Sequence, residues 1–225
     1  MQDTAQALSG NETDQNAIAD INVWEKSEKA LVMVRAAQKI FFSHGFFAAT
    51  TDMIQKEAGV SKSTLYQYYK SKEGMFIAVI AWTCKNRIRD ARMDKLEGEN
   101  VRERLFDLGE KFFTVLLNEE AMALYRIVIE VSQFFPRVSD FFYKTWKQVF
   151  FPPLANILVG AAQKGEICLM ESEVPQAAEL FYSMIRGEIF VKLLLFPQNE
   201  PDDRQVSAWI AFSVDKFLAA YRPGS

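Results

Sequence analysis

The chain has 225 residues, of which 49% are hydrophobic and 24% are charged, a composition typical of a globular protein with one domain or two small ones. Its net charge of −3 excludes a chain that is basic throughout, and its two cysteines exclude a disulfide-rich scaffold and fit a reducing cytoplasm. Because no run of about eighteen apolar residues and no basic start before an apolar run occur, we expect neither a membrane-spanning helix nor a signal peptide.

Charge is unevenly distributed along the chain. Between Lys26 and Lys85 there are nine Lys and Arg residues against four Asp and Glu residues, so this segment carries +5 and the remainder carries −8. Such asymmetry indicates a local anion-binding face on an otherwise acidic protein. Residues 1–24 contain four acidic residues and no Lys or Arg, and their polar composition predicts a disordered tail without a role in DNA binding.

Three helices are predicted after this tail. An apolar stripe that includes Ala30, Val34 and Phe41 predicts a first helix, which ends at Gly45. The second is short, begins at one of two adjacent threonines and ends before a glycine. The third is capped by a serine and runs to about Tyr69.

The remaining helices are also marked by their boundary residues. Ser71 can cap a fourth helix that has Glu73 in its first turn and continues to about Lys95. Further helices are predicted over 100–118, 120–134, 138–150, 152–164, 174–195 and 202–221. Pro152 and Pro153 either kink one long helix or separate two. The sequence therefore predicts an all-α fold of nine or ten helices.

The second and third helices have the form of a helix-turn-helix. In this motif one helix braces against the DNA backbone while the next enters the major groove. Ile54, Val60 and Leu65 can pack inward, which leaves a polar and aromatic outer face. The residues of that face on the third helix are Lys62, Ser63, Thr64, Tyr66, Gln67 and Tyr68.

These residue types suit contacts with DNA. Gln67 can address an adenine edge and Lys62 a guanine edge, while hydroxyls can hold phosphates. Thr51 and Lys72 lie at the starts of the second and fourth helices, where free backbone N–H groups favour a phosphate, so Lys72 is expected to clamp one.

Residues 35–80 resemble the N-terminal domain of the TetR family of bacterial transcriptional regulators. The matching segments are AAQKIFFSHGFFAATT, IQKEAGVSKSTLYQYYKSKE and GMFIAVI. Ser63 stands where glycine is common in the family, and Tyr69 where phenylalanine is common. The resemblance implies a homodimer that binds a palindromic operator in double-stranded DNA, and most such proteins are repressors released by a small ligand. It also implies that the polar positions named above, from Thr51 to Lys72, face DNA.

This resemblance divides the chain into three parts: the tail 1–24, a helix-turn-helix DNA-binding domain 25–72, and a helical ligand-binding and dimerisation domain 73–225. The last two helices carry two apolar stripes, of which Phe181 and Ile185 belong to one and Val206 and Ile210 to the other. The resemblance implies that these helices pair with those of a second subunit as a four-helix bundle.

Fourteen of the nineteen phenylalanines follow residue 85. Most are expected in the core or at the dimer surface, and the alternative is that some line an apolar ligand pocket between helices. The candidates for that pocket are Phe106, Phe113, Tyr125, Ile129, Phe142, Trp146, Phe181 and Met184. Four charged residues inside apolar segments either orient the polar end of a ligand or form ordinary ion pairs: Arg126, Glu130, Arg186 and Glu188.

Other chemistry has little support in the sequence. His44 is the single histidine, so a multi-histidine metal site and a Ser–His–Asp triad are not expected, and Cys84 and Cys168 are expected to be small core residues rather than redox sensors. We therefore predict a cytoplasmic DNA-binding regulator with no catalytic site, metal or cofactor. The alternatives are a helical enzyme or small-molecule carrier with a basic anion-binding patch and, among regulators, an activator or a ligand-free architectural protein.

Overall fold

In the computed structural model, the described residues are 25, 27–93, 95–198 and 201–223, so the predicted tail 1–24 lies outside them. The described part contains nine α-helices and no β-strand, which confirms the all-α prediction. The helices are α1 (Glu28–Ala48), α2 (Thr51–Ala58), α3 (Lys62–Tyr68), α4 (Lys72–Asp90), α5 (Val101–Leu116), α6 (Glu119–Val131), α7 (Pro136–Gln163), α8 (Val174–Leu195) and α9 (Asp203–Ala220). A turn of 3₁₀ helix, Glu171–Glu173, precedes α8.

Some helix boundaries differ from the predicted ones. Gly45 interrupts α1 with non-helical dihedral angles (φ 73°, ψ 170°), but helical residues continue to Ala48. The fourth helix ends at Asp90 rather than near Lys95, and Arg92 just beyond it has a positive φ of 51° that a helix does not admit. The prediction was wrong there because no glycine or proline marks this end.

The two prolines that left the prediction open lie inside one helix, α7. Neither Pro152 nor Pro153 has an N–H to donate to the carbonyl four residues earlier, so two helical hydrogen bonds are missing. The helix nevertheless continues to Gln163, with Leu154 and Leu158 fully buried on its inner side. Burial of this apolar face offsets the lost bonds.

Packing separates the chain into two compact units. The first contains the described residues up to Thr83 together with Ile127–Phe142, and the second contains Cys84–Arg126 and Tyr143–Ser225. Helices α4, α6 and α7 each contribute residues to both units. The boundary after residue 72 remains a prediction from the motif.

An aromatic cluster forms the core of the first unit. The rings of Phe41, Phe46 and Phe76 pack with centroids 5.0 to 5.7 Å apart. Tyr69 joins this core, is 3% exposed, and donates its hydroxyl to the carbonyl oxygen of Ala30 over 3.2 Å. The tyrosine therefore keeps the ring of the expected phenylalanine and adds a hydrogen bond that ties the end of α3 to α1.

Helices α5, α8 and α9 pack closely in the second unit. A Cβ built on Gly109 of α5 would lie 2.7 Å from Ile210 of α9, so a larger residue there would push the helices apart. Gly187 kinks α8 with a positive φ of 45°, and the Trp209 indole lies against it. The Trp209 indole N–H donates to the carbonyl of Ile185 over 2.8 Å, which fixes the indole at the kink.

Candidate functional site

The turn between α2 and α3 sets how the two helices meet. Gly59 is left-handed (φ 66°, ψ 30°), a conformation that costs other residues free energy. The N–H of Val60 then donates to the Gln55 carbonyl over 3.1 Å, and Ser61 accepts from the N–H of Thr64 over 3.2 Å. These contacts confirm the predicted end of α2 and the predicted cap of α3.

One face of this helix pair is locked into the first unit. Ile54 of α2 and Leu65 of α3 are both 0% exposed. Fully burying a leucine or isoleucine side chain contributes about 1.5–3 kcal/mol. Together with the Tyr69 hydrogen bond, this burial leaves the opposite face of α3 turned outward.

The structure brings the predicted DNA-facing residues together on and beside α3. Lys62, Ser63, Tyr66 and Gln67 are exposed, and the remaining four are half-buried: Thr51, Thr64, Tyr68 and Lys72. The hydroxyls of Thr51 and Tyr66 lie 3.4 Å apart, which links the start of α2 to the middle of α3. The outward face therefore presents a lysine, an amide and several hydroxyls within one short helix, as a DNA-reading helix requires.

Lys62 forms an ion pair that the sequence pattern does not predict. Its Nζ lies 2.9 Å from Oδ1 of Asp52 in α2, and both side chains are exposed. The hydrogen bond and the negative charge of Asp52 raise the pKa of Lys62, so this lysine stays protonated. An acidic residue in the first turn of a helix is expected, but nothing in the sequence shows that its partner lies on the next helix.

Lys72 is placed differently from the phosphate clamp expected of it. Its ammonium donates to the carbonyls of Phe46 (2.9 Å) and Ala49 (3.0 Å) and lies 4.5 Å from the centroid of the Phe46 ring. Partial burial lowers its pKa. In this structure the lysine therefore satisfies carbonyls at the end of α1, and contact with DNA remains a prediction.

Tyr68, which was also predicted to face DNA, has a hydrogen-bond partner within the chain. Its hydroxyl accepts a hydrogen bond from Ser27, the N-cap of α1, over 3.3 Å. The ring is half-buried and connects the end of α3 to the start of α1.

The predicted ligand-binding residues are divided between the two units. Phe113 and Phe181 lie deep in the core of the second unit, and Phe106 and Met184 are half-buried against it. Ile129 and Phe142 belong to the first unit, and Ile129 is 53% exposed. Their role in binding a ligand stays a prediction. Helical period alone does not show where the chain passes from one compact unit to the other.

Trp146 and Tyr125 do share an environment, around Arg186 of α8. The guanidinium carbon of Arg186 lies 5.3 Å from the Trp146 ring centroid and 5.9 Å from that of Phe190. The Tyr125 ring packs against Phe190 at 5.1 Å, and its hydroxyl interacts with Arg186. Burial raises the pKa of Tyr125, against the opposing influence of Arg186.

The apolar stripes of α8 and α9 lie mainly inside the chain. Phe181, Ile185, Val206 and Ile210 are buried in the core of the second unit. A different set of large apolar side chains on these two helices is exposed: Leu180, Val191, Leu195 and Phe212. The two helices are therefore apolar on an inner and an outer face.

The two cysteines and the single histidine differ in their surroundings. Burial raises the pKa of the Cys84 thiol to about 12, whereas Cys168 is exposed, so its prediction as a core residue was wrong. The Nδ1 of His44 lies 3.2 Å from the Ile40 carbonyl oxygen, at the interruption of α1. Among the described residues there is no cluster of metal-ligating side chains. No helix in this part of the chain is long and apolar enough to cross a membrane.

Family models match both parts of the chain. The model of the N-terminal domain of bacterial regulatory proteins of the tetR family matches residues 33–79, and that of the C-terminal domain of AefR-like transcriptional repressors matches residues 103–223.

Individual relatives agree with these models. The chain is 31% identical over 105 residues to the transcriptional activator FasR of Mycolicibacterium smegmatis, covering 47% of each chain. It is 26% identical over 100 residues to the fatty acid metabolism regulator protein of Bacillus subtilis, covering 44% of this chain and 52% of that protein. The matched region thus spans about half the length of these curated relatives.

Solved structures show the same fold over most of the chain. A TetR-family transcriptional regulator from Mesorhizobium loti superposes with a TM-score of 0.76 at 22% identity, covering 87% of this chain and 97% of that one. The flavonoid-responsive regulator FrrA superposes with a TM-score of 0.73 at 28% identity, covering 88% and 99%. Since the C-terminal model alone spans more than half of the residues, the chain belongs to the TetR family of bacterial transcriptional regulators.

Proposed function

We propose that this TetR-family regulator is a homodimeric repressor that places one α3 in the major groove of each half-site of a palindromic operator. The observation that carries the proposal is the division of α3 into a locked face, with Leu65 fully buried, and an outward face with Lys62 and Gln67 exposed. In this arrangement Gln67 and Lys62 read base edges, and Thr51 and Lys72 lie at the flanks. The hydroxyls of Ser63, Thr64, Tyr66 and Tyr68 contact phosphates, and the Thr64 methyl or a tyrosine ring can contact a thymine methyl.

The exposed apolar side chains of α8 and α9 support a dimer. Leu180, Val191 and Phe212 are 44%, 50% and 53% exposed, and in a monomer they would face water. An isologous interface would bury the same residues of both subunits at once and set the spacing of the two α3 helices. Sedimentation of the purified protein tests for the dimer, and the substitution Phe212→Glu is expected to shift the monomer–dimer equilibrium towards monomer.

We propose a small, largely apolar effector that binds the second unit. The aromatic surroundings of Arg186, with Trp146 and Phe190 beside it, support such a ligand. One structural relative is flavonoid-responsive and one curated relative regulates fatty acid metabolism. Flavonoids and fatty acids are therefore two candidate types of ligand. The effector would release DNA by binding more tightly to a dimer whose α3 helices no longer match successive major grooves.

Selection of bound sequences from random duplex DNA, followed by anisotropy titrations at several salt concentrations, tests the proposed function. The recovered site is expected to be palindromic, with half-sites about one helical turn or a multiple of it apart. Lys62→Ala is expected to weaken binding and to relax the base preference at one position of each half-site.

Lys39→Ala is the matched control for that variant. Lys39 of α1 also forms an exposed ion pair, at 2.6 Å with Glu57, but lies outside α3. The control removes the same charge and the same type of ion pair, so it is expected to bind DNA like the unchanged protein. Equal losses in the two variants, or absence of sequence-selective binding at micromolar protein, would contradict the proposal, and turnover of a small molecule without DNA affinity would favour an enzyme.

A further inference from the structure

We propose that Arg186 is the anchor for an acidic effector, a carboxylate attached to an apolar body, with the Tyr125 hydroxyl as a second donor. This inference rests on the proposed function and names the chemical class of its ligand. The four side chains that carry it all belong to the second unit: Tyr125 of α6, Trp146 of α7, and Arg186 and Phe190 of α8.

Arg186 has no carboxylate partner among the described residues. Its Nε donates to the carbonyl of Tyr182 over 3.3 Å, and its guanidinium also interacts with the Tyr125 hydroxyl. A guanidinium has five N–H donors, so these two contacts leave enough for a bidentate bond to a carboxylate. A half-buried arginine between aromatic rings is thus equipped to pair with an acid that the described chain does not supply.

The acidic side chains nearest along α8 are already paired with lysines. Glu179 lies 3.0 Å from Lys147, and Glu188 lies 3.2 Å from Lys192. A second arginine, Arg126 of α6, donates to the Leu193 carbonyl over 3.4 Å and forms no ion pair in the described ranges. Arg186 is therefore a positive charge that no carboxylate of the described residues neutralises, which favours an anionic ligand over a neutral one.

The apolar part of the ligand is also specified. Trp146 and Phe190 lie on Arg186, so a body that follows the carboxylate would contact aromatic ring faces. The Tyr125 hydroxyl interacts with Arg186 and can donate to the acid, since burial raises its pKa and holds it neutral. Both an aromatic acid and a fatty acid satisfy this chemistry.

Calorimetry of the full-length protein without DNA tests the inference with four probes: trans-cinnamate, decanoate and their primary amides. An acid is expected to bind about tenfold more tightly than its amide, because only the acid pairs with the guanidinium. The body that binds better, planar or aliphatic, identifies the source of the carboxylate. Equal affinity for acid and amide, or no binding of either acid at millimolar concentration, would overturn the inference.

Two variants and a control assign the effect to Arg186. Arg186→Gln is expected to remove the preference for the acid while it changes the affinity for the amide by no more than about twofold. Arg186→Lys keeps the charge but loses the planar guanidinium, so its preference for the acid is expected to lie between those of the unchanged protein and Arg186→Gln. This variant provides the test if Arg186→Gln does not fold. Arg102→Gln, which removes an exposed arginine paired with Asp215 at 2.7 Å, is expected to have no effect. Preference for the acid that survives in both Arg186 variants would contradict the assignment.

The inference and the proposed function fail in distinguishable ways. Acid binding is measured without DNA, and the variant Arg186→Gln is expected to bind the selected operator like the unchanged protein. If the unchanged protein binds no DNA selectively but still binds acids more tightly than their amides, only the proposed function is contradicted. If the protein binds its operator, no carboxylate probe changes that binding, and acid and amide bind with equal affinity, then only the inference about Arg186 is contradicted.

Discussion

Helices α3 and α8 each bury one face, but their other faces differ. The outer face of α3 is polar, with Lys62 and Gln67 exposed, whereas the outer face of α8 is apolar, with Leu180 and Val191 exposed. A short helix with one apolar stripe shows by its residue types what its free face contacts. A helix that is apolar on several sides does not, because core, ligand and partner subunit all select the same side chains. The following four changes test this contrast, in order of expected effect on stability.

The largest effect is expected on the buried face of α8. Phe181 is fully buried and packs against Phe217 at 5.3 Å and Tyr182 at 5.6 Å. Phe181→Ala should therefore lower the free energy of unfolding by about 3–5 kcal/mol, as measured by urea denaturation. A loss below about 1 kcal/mol would indicate that this position is a ligand pocket rather than core.

Gly187→Ala should have an intermediate effect. A Cβ at this position would lie 2.6 Å from the Trp209 indole, and the positive φ adds strain. We expect a loss of about 1–3 kcal/mol in unfolding free energy, together with a change in tryptophan fluorescence. Gly160→Ala in α7 is the matched control, because its Cβ meets no atom within 4 Å and alanine favours a helix by about 1 kcal/mol. Equal behaviour of the two variants would mean that the kink does not depend on glycine.

Lys72→Met should have a smaller effect, located in the first unit. It removes the ammonium from the Phe46 and Ala49 carbonyls, and because the lysine is only partly buried we expect a loss of about 1 kcal/mol. Thermal denaturation measures it, and Lys39→Met, which changes an exposed lysine on α1, should leave the stability unchanged. A variant that keeps full stability but loses DNA binding would restore the phosphate clamp as the role of Lys72.

Gln67→Ala should have almost no effect on stability, because the side chain is exposed. The unfolding free energy should stay within about 0.5 kcal/mol. In selection from random DNA, the variant should relax the base preference at one position of each half-site by about 1–3 kcal/mol. An unchanged recovered sequence would show that Gln67 faces away from the bases.

The helix-turn-helix was predictable because its determinants are local. Thr50 caps α2, Ser61 caps α3 and Gly59 separates them, so each boundary depends on residues only a few positions away. The inward position of Leu65 follows from the same period. The fold class was predictable for a similar reason, since apolar stripes and prolines mark most helices directly.

Other features depend on residues that are distant in sequence. Lys72 meets carbonyls more than twenty positions earlier, and Lys62 meets an acid on the preceding helix. The inner and outer faces of α8 could not be assigned, because Phe181 and Leu180 are equally apolar and only packing distinguishes them. Helical period likewise could not show that Ile129 belongs to the first unit.

Under the proposed function, the ion pair between Lys62 and Asp52 affects how α3 would meet DNA. Away from an operator, the lysine already holds an anion of its own, so the approach of a phosphate or a base is an exchange of one acceptor for another. Such an exchange discourages loose attachment to random genomic sequence, because an ill-fitting duplex offers too little to displace the carboxylate. In the proposed complex, the Asp52 carboxylate would thereby contribute to selectivity.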